Sequence, residues 1–211
     1  MKSLYKYLFL LGILCSSSTH ANAYDDMLRA ISTNNQNDVV ALLKKGVDVN
    51  TATKEGETLL MLAAKEGHAN IVKTLLSAKP RVAARNAFGE TALMLASIKG
   101  HAEIVKLLLA EGAAIDQEGW TPLIYAAATG RIDIMRLLIA RGAKIDAAAA
   151  DGTTALLMAA REGQTQAALL LMENGANINH KATNGYTPLG AAKQRGQDEL
   201  ARILVKAGAK E

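Results

Sequence analysis

Apolar positions along this chain form short clusters that follow the period of a helix and stop at glycines. In residues 89–116 a first cluster begins after Thr91 and ends at Gly100, and a second cluster ends at Gly112. Within the second cluster, the apolar residues between 104 and 109 share one face of a helix. The pattern therefore predicts two short helices followed by an extended exit.

This unit recurs along most of the chain, because three series of residues repeat in one register. The intervals in each series are 33, 30, 33 and 33 residues. The series are Thr58, Thr91, Thr121, Thr154 and Thr187; Gly67, Gly100, Gly130, Gly163 and Gly196; and Gly56, Gly89, Gly119, Gly152 and Gly185. A period near 33 indicates a stacked array in which no unit buries its apolar face alone. We predict an all-α fold, an α-solenoid of about six stacked helix–turn–helix units with β-hairpin finger loops.

Each repeated threonine is placed to cap the N-terminus of a first helix, where its hydroxyl can accept a hydrogen bond from the backbone. Proline follows the threonine twice, as Pro122 and Pro188, at a position where it costs no intrahelical bond. An alanine five residues after each threonine predicts a thin helix that lets its neighbour approach closely. These alanines are Ala63, Ala96, Ala126, Ala159 and Ala192.

Two stretches depart from the common unit. Residues 24–50 read as a degenerate first unit, with Asp25 at the capping position and Asn34 at the helix stop. Their polar character is typical of a terminal unit that faces water. In the second unit, Lys79 and Pro80 stand where the others have glycine. A left-handed non-glycine residue costs on the order of 1 kcal/mol, so we expect strain or a different exit there.

The first 23 residues differ in kind from the rest. Lys2 and Lys6 precede a short apolar run, and residues 21–23 read Ala-Asn-Ala, which together indicate a cleavable secretory signal. The alternatives are a transmembrane anchor, for which the run falls short of ~20 residues, and a lipoprotein signal at Cys15, before which Leu14 is too bulky. We expect cleavage after Ala23 and a periplasmic or secreted product.

Cleavage would change how the composition is interpreted. It removes two lysines and no acidic residue, which lowers the formal net charge from +4 to +2. This charge predicts neither nucleic-acid binding nor, once the signal is removed, membrane binding. Cys15 is the chain's one cysteine, so the exported protein would contain no disulfide and would depend on core packing.

The repeated unit resembles the ankyrin repeat. The residues that carry the resemblance are Gly89 and Thr91, Ala96, Gly100-His101, Ile104-Val105 and Gly112-Ala113, with Gly119-Trp120-Thr121-Pro122-Leu123 and Gly185-Tyr186-Thr187-Pro188-Leu189. The resemblance implies an ankyrin repeat domain over residues 24–211, with repeats at about 24–53, 54–86, 87–116, 117–149, 150–182 and 183–211.

The chain departs from the family pattern in two ways. The family's histidine after Thr-Pro-Leu is replaced throughout, by Met61, Met94, Ile124, Leu157 and Gly190, and we expect packing to replace a polar tie. The interval between the third and fourth units is 30 residues rather than 33, so one loop is three residues shorter than the others. We therefore expect a truncated finger, and a notch beside it.

The chain lacks the motifs that identify common catalytic sites. It contains no phosphate-binding Gly-rich loop, no His-Glu-x-x-His, no Cys-x-x-Cys and no Gly-x-Ser-x-Gly. His68 and His101 lie one repeat apart and could share a metal, but capping of the turns is the favoured interpretation. We therefore expect no enzyme activity, cofactor or metal, with a cryptic enzyme site as the remote alternative.

The resemblance implies that a protein partner binds the concave face formed by the fingers and first helices. The candidate residues are Phe88, Trp120, Tyr186, Lys54, Glu57, Lys65, Glu90, Lys99, Glu118, Asp151, Arg161 and Arg195. Exposed aromatic side chains are favoured anchors in interfaces. Trp120 has a second interpretation, as a plug folded over the truncated loop.

The expected function is therefore protein–protein interaction by a monomeric exported module. Exported bacterial proteins that resemble this chain include neutralisers of toxic enzymes and helpers of periplasmic stress-defence enzymes. A secreted effector that binds a host protein is the alternative, and an enzyme with a cryptic site is the third hypothesis.

Overall fold

The computed structural model describes residues 23–210, and helices account for most of them. The first helix, α1, is described from residue 23 to residue 32. The others are α2 (Gln36–Lys44), α3 (Leu59–Glu66), α4 (Ala69–Ser77), α5 (Ala92–Lys99), α6 (Ala102–Ala110), α7 (Pro122–Ala128), α8 (Ile132–Ala140), α9 (Ala155–Arg161), α10 (Thr165–Glu173), α11 (Pro188–Gln194) and α12 (Asp198–Lys206). None of these described helices is long and apolar enough to cross a membrane.

Backbone contacts divide the chain into an N-terminal unit, Met1–Arg81, and a C-terminal unit, Val82–Glu211. In the N-terminal unit, α4 packs against α2 and α3. In the C-terminal unit, the first helices pack in the order α5, α7, α9 and α11, each against its own second helix, and α8 packs between α6 and α10. The expected fold class, an α-solenoid of stacked helix–turn–helix repeats, is confirmed.

The repeated threonines begin the first helices as predicted. In each case the threonine hydroxyl accepts from the backbone N–H three residues later, as in Thr58 to Met61 at 3.2 Å and Thr187 to Gly190 at 3.1 Å. Such a cap stabilises a helix by about 1 kcal/mol. Met61 and Met94 add a weaker bond, because each sulfur accepts the backbone N–H of its own capping threonine at 3.4 Å. Two of the residues that replace the family histidine thus still bond to the backbone.

The core lies between the thin first helices and the apolar faces of the second helices. All five alanines at the predicted close-packing position are 0% exposed. In the C-terminal unit, α5, α7, α9 and α11 therefore meet with little side chain between them. The second helices bury the predicted stripe, for example Ile104, Val105 and Leu108 of α6. Burial of each of these side chains contributes roughly 1.5–3 kcal/mol.

Two irregular helix stops adopt the left-handed conformation. Asn34 has φ of 54°, as expected of the non-glycine residue that tolerates this region best. Lys79 has φ of 55°, so the strain expected at the second unit's exit is confirmed. The expectation that Asp25 caps the first helix is wrong, because residues 23 and 24 are already helical. The predicted signal peptide, residues 1–23, lies outside the described residues except for Ala23.

The finger loops are narrow turns, each closed by a backbone hydrogen bond between residues four apart. Those bonds run from Thr53 to Glu57, Asn86 to Glu90, Ala149 to Thr153 and Ala182 to Tyr186, at 2.8–3.0 Å. Between residues 23 and 210 the hairpin character is limited to these bonds and one isolated bridge, Ala52 to Thr58. The loop at residues 115–120 forms no such bond, which confirms that this finger is truncated.

Candidate partner-binding surface

Three candidate residues lie in the N-terminal unit. The Lys65 ammonium is 3.0 Å from a Glu57 carboxylate oxygen, and both side chains are partly buried. This pair joins the finger to the last turn of α3. Lys54 lies exposed on the same finger. In this unit the structure brings Glu57 and Lys65 together and leaves Lys54 at the surface.

The finger that carries Phe88 is shaped by the side chain of Asn86. The Asn86 carboxamide oxygen accepts the backbone N–H groups of Phe88 and Glu90, at 3.0 and 2.9 Å. Its nitrogen donates to Glu90 Oε2 at 2.9 Å. These bonds fix the finger while Phe88 is left 77% exposed at its tip. Lys99, another candidate, is exposed at the end of α5.

Glu90 connects this finger to the next first helix. Its second carboxylate oxygen accepts the Tyr125 hydroxyl at 3.0 Å. Burial, followed by the bond to Glu90 and its negative charge, raises the pKa of Tyr125 above its usual range. The phenol is therefore protonated at neutral pH and remains a donor. Each carboxylate oxygen of Glu90 therefore accepts a hydrogen bond from within the chain, so Glu90 has a structural role in addition to any contact with a bound protein.

Trp120 packs against Tyr125 and remains half-exposed. The two ring centroids are 5.2 Å apart with planes at 45°, within the usual range for favourable aromatic pairs. The interpretation of Trp120 as a plug explains the packed face of the indole. The exposed remainder is still available to a partner, so its role as an anchor stays a prediction.

The truncated finger is held by side chains. Arg85 donates to Gln117 Oε1 at 2.8 Å and to the backbone oxygen of Glu118 at 3.4 Å. The Gln117 amide nitrogen is buried without a hydrogen-bond partner, and such a group costs about 1–3 kcal/mol. The Glu118 side chain is exposed.

The last four candidate residues, Asp151, Arg161, Tyr186 and Arg195, line one cavity of about 210 Å³. The cavity lies between helices α9 and α11 and the fingers of the fifth and sixth repeats, residues 149–153 and 182–186, which are called the fifth and sixth fingers below. Leu157, Ala182 and Ala191 are among the buried residues that also line it. The sequence predicts these four as separate surface positions, and the structure brings them together.

A series of hydrogen bonds between successive loops, here called loop ties, was not predicted from the sequence. At four of the five extended exits, an Asn or Asp side chain accepts the backbone N–H of a residue 28 to 31 positions later, at 2.7–3.2 Å. The pairs are Asn50 with Arg81, Asp116 with Lys144, Asp146 with Asn177, and Asn179 with Lys210. The signal was present, because four of the five exits carry Asn or Asp, whereas the exit after Lys79 carries Ala83.

The three histidines within residues 23–210 lie in loops. His68 precedes α4 and its Nε2 is buried without a hydrogen-bond partner, and His101 precedes α6. In residues 23–210, no three His, Cys, Asp or Glu side chains form a group that could hold a metal ion. His180 instead contacts the Gly152 carbonyl through Nε2 at 2.8 Å.

Comparison with known proteins agrees with this architecture. The family described as ankyrin repeats (3 copies) matches residues 8–86, 27–115, 79–149 and 146–211. The human ASB11 ankyrin repeat domain is 28% identical, with a TM-score of 0.80 over 87% of this chain and 84% of that one. No curated protein sequence matches. Ankyrin repeats are generally non-catalytic scaffolds that bind other proteins, and this chain belongs to the ankyrin-repeat family.

Proposed function

We propose that this chain is a non-catalytic interaction module, exported to the periplasm, whose finger and first-helix face binds a protein partner. The observation that carries the proposal is Phe88, a large apolar side chain 77% exposed at the tip of a finger that Asn86 holds rigid. An aromatic side chain presented on a fixed backbone loses little conformational freedom on binding, which favours it as an anchor.

The module would act in one of two roles. It would neutralise a toxic enzyme or support a periplasmic stress-defence enzyme. Both need a stable surface and no chemistry from the module itself. The signal-like pattern of residues 1–23 supports export. The same face would serve a secreted effector, and location separates the two roles: recovery from culture fluid or host cells favours the effector.

Affinity capture with the mature chain, residues 24–211, tests the proposal. The bait should retain one defined protein from a periplasmic extract of the native cells. Phe88→Ala should weaken capture roughly tenfold, as expected for an anchor residue. Val205→Ala is the matched control, because within residues 23–210 Val205 is the other exposed large apolar side chain, at 53%, and it lies on α12.

Failure of the wild-type bait to retain any protein, or equal losses for the two variants, would contradict the proposal. Trp120→Ala can be added once circular dichroism shows that it folds, since Trp120 also packs on Tyr125. A hydrolase activity of the purified chain that disappears on mutation of His68 and His101 would instead support the cryptic-enzyme hypothesis.

A further inference from the structure

The cavity between the fifth and sixth fingers combines an apolar base with polar walls. Its base includes Leu157 and Ala191, and small residues at 190–192 leave α11 thin at this point. Its volume of about 210 Å³ equals that of roughly seven water molecules at ~30 Å³ each. A short side chain from another protein therefore fits into it.

Two guanidinium groups line this cavity, and neither is fully engaged. Arg161 Nε donates to Glu162 at 2.9 Å, while its terminal nitrogens form no hydrogen bond with the described part of the chain. Arg195 is exposed, and its guanidinium forms no hydrogen bond or ion pair with residues 23–210, although its backbone N–H caps α11. Guanidinium groups in this state can each offer two parallel N–H donors.

Asp151 is the one acidic side chain that lines the cavity. Its carboxylate accepts the backbone N–H of Thr153 at 2.9 Å. This bond, assisted by the charge of Arg161, holds the pKa of Asp151 below its usual range. Asp151 is therefore ionised at neutral pH. The lining residues alone, two arginines and one aspartate, carry a net charge of +1, while Glu162 pairs with Arg161 from outside the lining.

This balance selects among possible occupants. A lysine side chain would face the unpaired guanidinium of Arg195 and the guanidinium of Arg161, and both repel it. A phosphate carries close to two negative charges at pH 7 and would be placed beside the ionised Asp151. A carboxylate has a single negative charge, and its planar geometry suits the free N–H donors of Arg195 and of the terminal nitrogens of Arg161.

We propose that this cavity receives the carboxylate of a Glu or Asp side chain, so that the partner of this chain presents an acidic segment to the C-terminal end of the finger face. Arg195 and Arg161 bind the carboxylate, and the half-buried Tyr186 forms part of the wall against which the stem of the acidic side chain packs. This inference rests on the proposed function, because it describes the chemistry of the protein that the surface binds.

A pair of short peptides tests the charge selection directly. The first is an acetylated, amidated decapeptide of alternating Glu and Ser, and the second has Gln in place of Glu. NMR spectra of isotope-labelled residues 24–211 should show that the Glu peptide shifts the Arg161 and Arg195 side-chain N–H signals and the amides of residues 182–186. The Gln peptide should shift neither.

Two variants with the same change of charge show whether the cavity is the site. Arg195→Gln should weaken binding of the Glu peptide at least roughly fivefold, because it removes a charge-assisted hydrogen bond. Arg202→Gln removes an exposed arginine of α12 outside the cavity and should leave binding unchanged. Equal loss in the two variants, equal shifts with the Gln peptide, or tighter binding of a phosphoserine peptide would each overturn the inference.

Partner capture separates this inference from the proposed function. If a partner is retained through Phe88 and Arg195→Gln weakens its capture, both stand. If Arg195→Gln leaves its capture unchanged, the proposed function stands and the acidic-segment inference fails. If no partner is captured while the Glu peptide still binds at Arg195, the proposed function fails and the charge selection of the cavity stands.

Discussion

Two kinds of finger loop occur in the C-terminal unit. The fifth and sixth fingers are held in place by backbone hydrogen bonds, whereas the truncated finger is held by side-chain contacts. The fifth finger is closed by a backbone bond from Ala149 to Thr153, and the sixth by a bond from Ala182 to Tyr186. Thr183 joins them by donating both its backbone N–H and its hydroxyl to the Asp151 carbonyl, at 3.0 and 2.9 Å. At the truncated finger, Arg85, Gln117 and Trp120 provide the contacts instead.

The difference follows from chain length. A turn closed between residues four apart needs all of its residues, and the loop between the third and fourth repeats is three residues shorter than the others. Without that turn the loop loses its backbone bond, and longer side chains from neighbouring elements hold it. The regular fingers therefore depend on close backbone approach, whereas the truncated finger depends on particular side chains. Each prediction below tests one side of this comparison.

The largest expected loss of stability comes from a substitution at Gly152. A Cβ there would lie 2.8 Å from the Ala182 Cα, and Gly152 has φ of 80°. Gly152→Ala should therefore destabilise the protein by about 2–4 kcal/mol through backbone strain and a clash that flexible side chains cannot relieve. Gly119 of the truncated finger has φ of 89° with nothing within 4 Å, so Gly119→Ala should cost only about 1 kcal/mol.

Urea denaturation followed by circular dichroism measures the two losses. Equal destabilisation by Gly152→Ala and Gly119→Ala would show that close approach of the backbones matters less than the left-handed conformation that both glycines share.

A pair of hydroxyl deletions compares a side-chain bond of Tyr125, the residue on which Trp120 packs, with the bond that joins the two regular fingers. Tyr125→Phe removes the donor to Glu90 and leaves a partly buried carboxylate oxygen unpaired, so it should cost about 1–2 kcal/mol. Thr183→Val removes a hydroxyl from the regular pair but keeps the backbone bond to Asp151. Its cost should be at most about 0.5–1 kcal/mol. A larger loss for Thr183→Val in the same urea assay would reverse the comparison.

The smallest expected effect is a dependence on alkaline pH. Because the folded pKa of Tyr125 is raised, its contribution to stability is fully present below the unfolded pKa of about 10. It is lost as the pH rises from there toward the folded value. Between pH 9 and 11 the wild type should lose more unfolding free energy than Tyr125→Phe, whose other titrating groups are the same. Parallel pH profiles of the two proteins would contradict the raised pKa.

Much of the fold could be predicted from the sequence because its signals are local and periodic. A capping threonine or a glycine stop acts through neighbouring backbone atoms, so its role can be predicted from position alone. The left-handed Asn34 and Lys79 follow from the same register. Asp25 was misplaced because the degenerate first unit has a helix that is already formed at residue 23, and no threonine marks its start.

The candidate site was less accessible to prediction from the sequence. Asp151, Arg161, Tyr186 and Arg195 come from two successive repeats, and only packing of α9 against α11 brings them to one cavity. The contact between Trp120 and Tyr125 depends on how the shortened loop closes, which periodicity does not specify. The loop ties could have been found, since they need only an Asn or Asp at a fixed position in each repeat.

The truncated finger has a consequence for engineering the chain. Because residues 117–120 take no part in a closed backbone turn, added residues there disrupt no such bond, and Gly119 has open space around it. The fifth finger offers no such freedom, since Gly152 lies against the backbone of its neighbour. A short tag or reporter peptide is therefore better tolerated in the shortened loop, between Glu118 and Gly119, than beside Gly152, and it puts at risk only side-chain contacts such as that of Arg85 with Glu118.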